Sequence, residues 1–129
     1  MADAYYCKLY VDSDEGHEAL QEIVDAYVRE AFSGIAAEGT VFRNENFEPG
    51  RDKVKPYDFI EASRNYVELD SDEDSEGEIF AFQMGTVRLI NLLRGGGRIV
   101  TASCSFEDLV ISETGWNWTE ANPNPPRAG

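Results

Sequence analysis

Between Tyr66 and Cys104 the chain changes character four times, and this stretch limits what the whole can fold into more than any other. Tyr66 to Leu69 is short and β-prone, Asp70 to Glu78 is an acidic hinge, and Ile79 to Arg94 carries apolar residues on a helical period. Ser75 and Glu78 have the spacing of a capping box, in which a hydroxyl and a carboxylate each satisfy a free N–H at a helix start. The helix is therefore expected to begin just after Ser75. Gly95, Gly96 and Gly97 supply the left-handed backbone that ends it, with Arg94 placed where the helix C-terminus favours a cation. Arg98 to Cys104 restarts as a strand. The unit is strand, helix, strand, with both helix ends marked.

The first half repeats the order. Tyr5 to Val11 alternates, with Tyr5, Cys7, Leu9 and Val11 on one face and Tyr6, Lys8 and Tyr10 on the other. Asp12, Ser13 and Asp14 are placed to cap a helix whose Leu20, Ile23, Val24, Tyr27, Val28 and Ala31 form an apolar stripe, and Gly34 is its expected stop. Thr40 to Phe47 is expected as a second strand, polar at Asn44, Glu45 and Asn46 and so an edge. Tyr57 to Leu69 is expected as the third strand, bulged where alternation fails between Glu61 and Asn65. The doubled β-α-β order predicts an α+β fold, a ferredoxin-like split β-α-β sandwich with two helices on one face of a four-stranded antiparallel sheet. Its strand order 4-1-3-2 sets the start of the first strand beside the end of the fourth. Cys7 and Cys104 are then expected to be near neighbours, both buried and both reduced. Residues 1–118 are expected to form one α+β domain, with Phe106 to Trp118 as a C-terminal extension. Residues 119–129 are expected as a Pro-rich tail, disordered from Asn122 onward.

Charge narrows the partners. The 129 residues hold 25 Asp and Glu against 11 Lys and Arg, a formal charge of -14. Such a field repels phosphate backbones and anionic lipid, so neither nucleic acid nor membrane is expected as a partner and a basic protein is. No basic segment followed by an apolar run opens the chain, and no apolar run is long enough to span a bilayer, so a cytoplasmic location is the default. Two cysteines are too few and too separated for a zinc site or a disulfide scaffold.

No motif spells out a reaction. Asp70, Asp72 and Asp74 match the opening ligand positions of a calcium loop, but Ser75 stands at the required glycine and Ala81 at the required final glutamate. No metal and no cofactor are expected. His17 is the only histidine and has no serine or cysteine nucleophile beside it in a recognisable motif. The glycine run follows a helix instead of preceding one, where the dipole repels anions. With so many carboxylates, any pairing of two as general acid and base would be arbitrary.

The open face of the sheet is more informative. It is expected to show Tyr6, Lys8, Tyr10, Arg64, Tyr66, Ile99 and Thr101, either bare, or covered by the Trp116 to Trp118 segment, or paired with a second copy as a homodimer. The strand end Tyr66-Val67-Glu68-Leu69-Asp70, the long helix, Val100 to Cys104 and the following Ser105-Phe106-Glu107-Asp108-Leu109 resemble small acidic bacterial proteins of the polymorphic-toxin immunity type. That resemblance implies a cytoplasmic, non-enzymatic inhibitor of one cognate toxin domain, and it carries over no catalytic residue. The expected contact residues are Asp70, Asp72, Glu73 and Asp74 in the hinge, which would steer a basic partner, and Tyr6, Tyr10, Arg64, Tyr66 and Trp116, which would anchor it. The alternatives are a small ligand-binding domain or enzyme, with a pocket between sheet and extension lined by Tyr10, Tyr66, Arg64 and Trp116, and a structural domain that self-associates through its sheet.

Overall fold

A computed structural model describes residues 5–32, 34–71 and 76–126. Strands β1 (Tyr6–Asp12), β2 (Ala37–Arg43), β3 (Asn65–Ser71) and β4 (Ile99–Ser103) form one sheet in the order β2-β3-β1-β4. All three pairings are antiparallel. This is the strand order expected. Helices α1 (His17–Ala31), α2 (Phe59–Ala62), α3 (Glu76–Gly95) and α4 (Glu107–Thr114) complete an α+β architecture. Among the described residues no helix is long and apolar enough to cross a membrane.

The alternation of β1 does what its sequence requires. Cys7, Leu9 and Val11 are fully buried, together with Leu20 and Val24 of α1, Leu89, Ile90 and Leu93 of α3, and Val100 and Ala102 of β4. Each such aliphatic side chain contributes about 1.5–3 kcal/mol on leaving water. Both long helices therefore lie on one face of the sheet. Gly85 brings α3 close to the end of α1, since a Cβ there would stand 2.4 Å from the Phe32 ring. Arg88 fixes the same junction by donating from Nε and a terminal nitrogen to the Ala31 carbonyl at 2.9 and 2.7 Å.

Several local expectations are corrected. Asp12, Ser13 and Asp14 do not cap α1; the N-cap is Gly16, with no side-chain hydrogen bond, and Asp12 instead accepts from the Tyr57 hydroxyl at 3.1 Å. The second strand begins earlier and ends at Arg43; the Asn44 backbone N–H still donates to the Arg64 carbonyl at 2.9 Å, while its side-chain amide donates to the Ile60 and Ser63 carbonyls and ties the strand end to the segment before β3. The third strand begins only at Asn65. Asp58 accepts from the N–H groups of Ile60 and Glu61, which turns Phe59–Ala62 into a short capped helix where a bulged strand was expected. Cys104 is half-buried, not buried. The C-terminal extension contains α4, closed by Gly115 at φ 92°, a conformation that favours glycine. Ser75, and with it the capping box, lies outside the described residues, as do Asp72, Glu73 and Asp74. Of the tail, residues 122–126 are described and irregular, with the Asn122 carbonyl accepting from Trp116 Nε1 at 3.1 Å.

Both sheet edges are occupied by side-chain amides. On β2, Gln21 of α1 donates to the Gly39 carbonyl at 2.9 Å and accepts from the Val41 N–H at 2.8 Å. On β4, Asn117 accepts from the Ala102 N–H at 2.7 Å and donates to the Ala102 carbonyl at 3.0 Å. Arg94 takes the Val100 carbonyl at 2.7 Å on that same edge, and Glu107 the Cys104 N–H at 3.0 Å. An amide offers one donor and one acceptor in the geometry of a strand peptide, so each fills the place a further strand would take.

Candidate functional site

The face of the sheet opposite the long helices is built in rows by the strand register. Phe42, Tyr66, Tyr10 and Thr101 stand side by side, then Thr40, Glu68, Lys8 and Ser103, then Glu38, Asp70 and Tyr6. The Phe42 and Tyr66 rings stack at 5.4 Å and 25°, and Tyr66 meets Tyr10 at 5.9 Å. The Lys8 ammonium lies 4.1 Å from the centre of the Tyr66 ring and 5.1 Å from that of Tyr10, a cation held over aromatic faces. Burial, then the neighbouring Glu68 carboxylate, push the Tyr6 phenol up to about 12.

Half of this face is covered by the protein itself. Phe59 of α2 packs edge-on against Tyr10 at 5.1 Å, Trp118 packs on Phe59 at 5.3 Å, and the Trp118 indole donates to the Tyr57 carbonyl at 3.0 Å. With Tyr57, Ala62, Trp116 and Ile99 they form a second, smaller core. The space between sheet and C-terminal segment is thus filled by Phe59 and Trp118. Thr101 is 2% exposed beneath this cover. The half left bare by the described residues runs from Phe42, 39% exposed, across Tyr66 and Lys8 to the exposed carboxylates of Glu38 and Asp70.

The expected contact residues are divided by this arrangement. Tyr6, Tyr66 and Asp70 share the bare half with Lys8. Tyr10 lies at its boundary, under Phe59. Arg64 is exposed but stacks 4.8 Å from the Phe47 ring, off the aromatic row. Trp116 is 3% exposed, with Arg94 5.5 Å from its ring, and offers no surface to a partner. Asp72, Glu73 and Asp74 lie outside the described residues. Sequence reading missed Glu38, because setting the second strand at Thr40 to Phe47 left it out, and missed Phe42, which lay inside that strand but was assigned to no face. The alternation Glu38, Thr40, Phe42 about the buried Val41 is the signal that finds them.

A groove of about 530 Å³ opens at the other end of β1, between Asp12–Glu15 and Gly96–Ile99. One wall is an ion pair: Arg98 donates to both Glu15 oxygens, at 3.1 and 2.7 Å. Arg98 holds the Glu15 carboxyl below its usual range, against a smaller opposing effect of burial. Among the described residues no group of three His, Cys, Asp or Glu side chains is gathered to hold a metal ion. The Glu15 carboxylate is already committed to a cation, so the groove presents no free acid-base pair from these two residues.

No protein-family model, no curated protein and no solved structure matches the chain.

Proposed function

We propose that this chain is a non-enzymatic protein-binding inhibitor, an immunity-type protein of the bacterial cytoplasm that neutralises a basic toxin domain. The observation that carries the reading is the bare half of the sheet: stacked Phe42 and Tyr66 at the centre, with Glu38 and Asp70 beside them on a chain of formal charge -14. Aromatic anchors flanked by charge are what a protein interface needs, the rings supplying affinity as they leave water and the carboxylates supplying attraction at a distance. The strand order and the two helices on one face support reading the fold as a ferredoxin-like split β-α-β sandwich. Glu107 and the side-chain amides on the edges argue against a partner, or a second copy, joining by strand addition. The filled space under Trp118 argues against a ligand pocket there.

The test is co-expression with a toxin domain encoded beside the gene. The expected result is restored growth with this chain and loss of rescue with the double variant Phe42→Ala/Tyr66→Ala, which folds normally by circular dichroism. Rescue that survives the double substitution would move the interface elsewhere. Absence of any toxin domain beside the gene, with no basic protein bound, would remove the inhibitor reading.

A further inference from the structure

Cys7 and Cys104 are both free, and neither has a place in the interface above. Lys8 pairs with Ser103 and Leu9 with Ala102, so the same register one step further sets Cys7 opposite Cys104. The hydrogen bonding tells which kind of opposition this is. Both backbone groups of Ala102 are taken by Asn117, so Ala102 and Leu9 form a non-hydrogen-bonded pair. Antiparallel pairs alternate, and Cys7 and Cys104 are again of that kind, consistent with the Cys104 N–H donating outward to Glu107. In such pairs the Cα atoms are about 4.5 Å apart and the side chains approach closely, within the range a disulfide spans. The Cys7 thiol donates to the Lys8 carbonyl at 3.9 Å, and the Cys7 and Cys104 thiols are close enough to perturb one another's ionisation.

We propose that Cys7 and Cys104 form a dithiol site that takes a low-molecular-weight disulfide as its oxidant and closes as an intramolecular disulfide between β1 and the end of β4. Cys104 is the attacking residue and Cys7 the resolving one. Cys104 is only partly buried, at the margin of the core, whereas Cys7 is fully buried. The neighbouring Cys7 thiol holds the Cys104 thiol below its usual range against the opposing effect of burial, while burial above all pushes Cys7 up. The Cys104 thiolate attacks one sulfur of the oxidant, its S–S bond breaks, and one thiolate leaves. Cys7 then gives its proton to solvent and attacks the Cys104 sulfur, which expels the second thiolate. Two protein thiols are oxidised and one small disulfide is reduced to two thiols.

The experiment treats the reduced full-length protein with oxidised glutathione as the probe and follows mass, free thiols and melting. The expected product is monomeric, retains no adduct, has lost two hydrogens and both free thiols, and melts higher by on the order of 10 °C, since the bridge closes a loop spanning most of the chain. Dithiothreitol reverses the shift. Cys7→Ser, or Cys7→Ala if the serine is not tolerated in the core, is expected to trap the glutathione adduct on Cys104. Cys104→Ser is expected to leave Cys7 unmodified in the folded protein. Two thiols that stay free, a disulfide-linked dimer, a persistent adduct on the parent protein, or modification of Cys7 in folded Cys104→Ser would each overturn the proposal.

Discussion

Glu15 and Arg98 show how one contact at residue scale becomes a property of the fold. Their side chains are 28% and 10% exposed and meet through two hydrogen bonds, tying the β1–α1 loop to the start of β4. Glu15 is lowered from an ordinary value of 4.5, chiefly by the hydrogen bond from Arg98. A carboxyl lowered on folding adds stability that is complete above that ordinary value and is lost as pH falls through the lowered one. Glu15→Gln is therefore expected to cost about 1 kcal/mol near neutral pH and to flatten the loss of stability on acidification below about pH 4.5. Urea midpoints from pH 7 to pH 3 for parent and variant check both halves, and parallel curves would show that the pair contributes nothing. Arg94 was legible as a helix-end cation, but its actual work was not. Its guanidinium donates to Thr114 Oγ1 and the Trp116 carbonyl at the end of α4 and to the Val100 carbonyl of β4, two segments that no local pattern connects. Burial lowers it to about 10, so it remains a cation at neutral pH.

At the scale of elements, what was legible followed from periodicity and what was not followed from single polar side chains. β1, α1, α3, β4 and the strand order were readable because alternation and the helical stripe continue over whole elements. Asp58 converts the front of an expected strand into α2, and Asn44 ties the end of β2 to the segment before β3, each through hydrogen bonds whose partners no sequence window reveals. The same holds for Gln21 and Asn117 at the sheet edges. Asn117→Ala is expected to leave the buried Ala102 N–H and carbonyl unpaired and to cost about 3 kcal/mol, read as a lower urea midpoint. Gln21→Ala should cost less, about 1 kcal/mol, but bare the β2 edge, with self-association at high concentration measured by sedimentation. A Gln21 variant that stays monomeric would mean the edge is protected otherwise. Gly85→Ala sets two effects against each other: alanine gains about 1 kcal/mol of helix propensity, while a methyl 2.4 Å from the Phe32 ring overpacks the core. Overpacking costs about 1–3 kcal/mol, so net destabilisation is expected, and a raised melting temperature would show that Phe32 yields freely.

For the whole molecule, the sheet has one face spent on the core, two edges occupied by side chains, and a second face half covered by Phe59 and Trp118. Half a face remains, and the aromatic row and the carboxylates of Glu38 and Asp70 meet there. The open tyrosines were legible from alternation alone. Their cover was not, because it depends on where a C-terminal segment of irregular backbone returns. This half-face is the surface proposed to bind a basic protein. Stopped-flow association and dissociation rates with the basic toxin domain, at two ionic strengths, test it most directly. Glu38→Gln with Asp70→Asn is predicted to slow association by roughly tenfold at low salt, to weaken its salt dependence and to leave dissociation almost unchanged. Phe42→Ala is predicted to do the reverse, raising the dissociation rate by about tenfold or more at both salt concentrations. Both rates unchanged in both variants would mean that this half-face is not the interface.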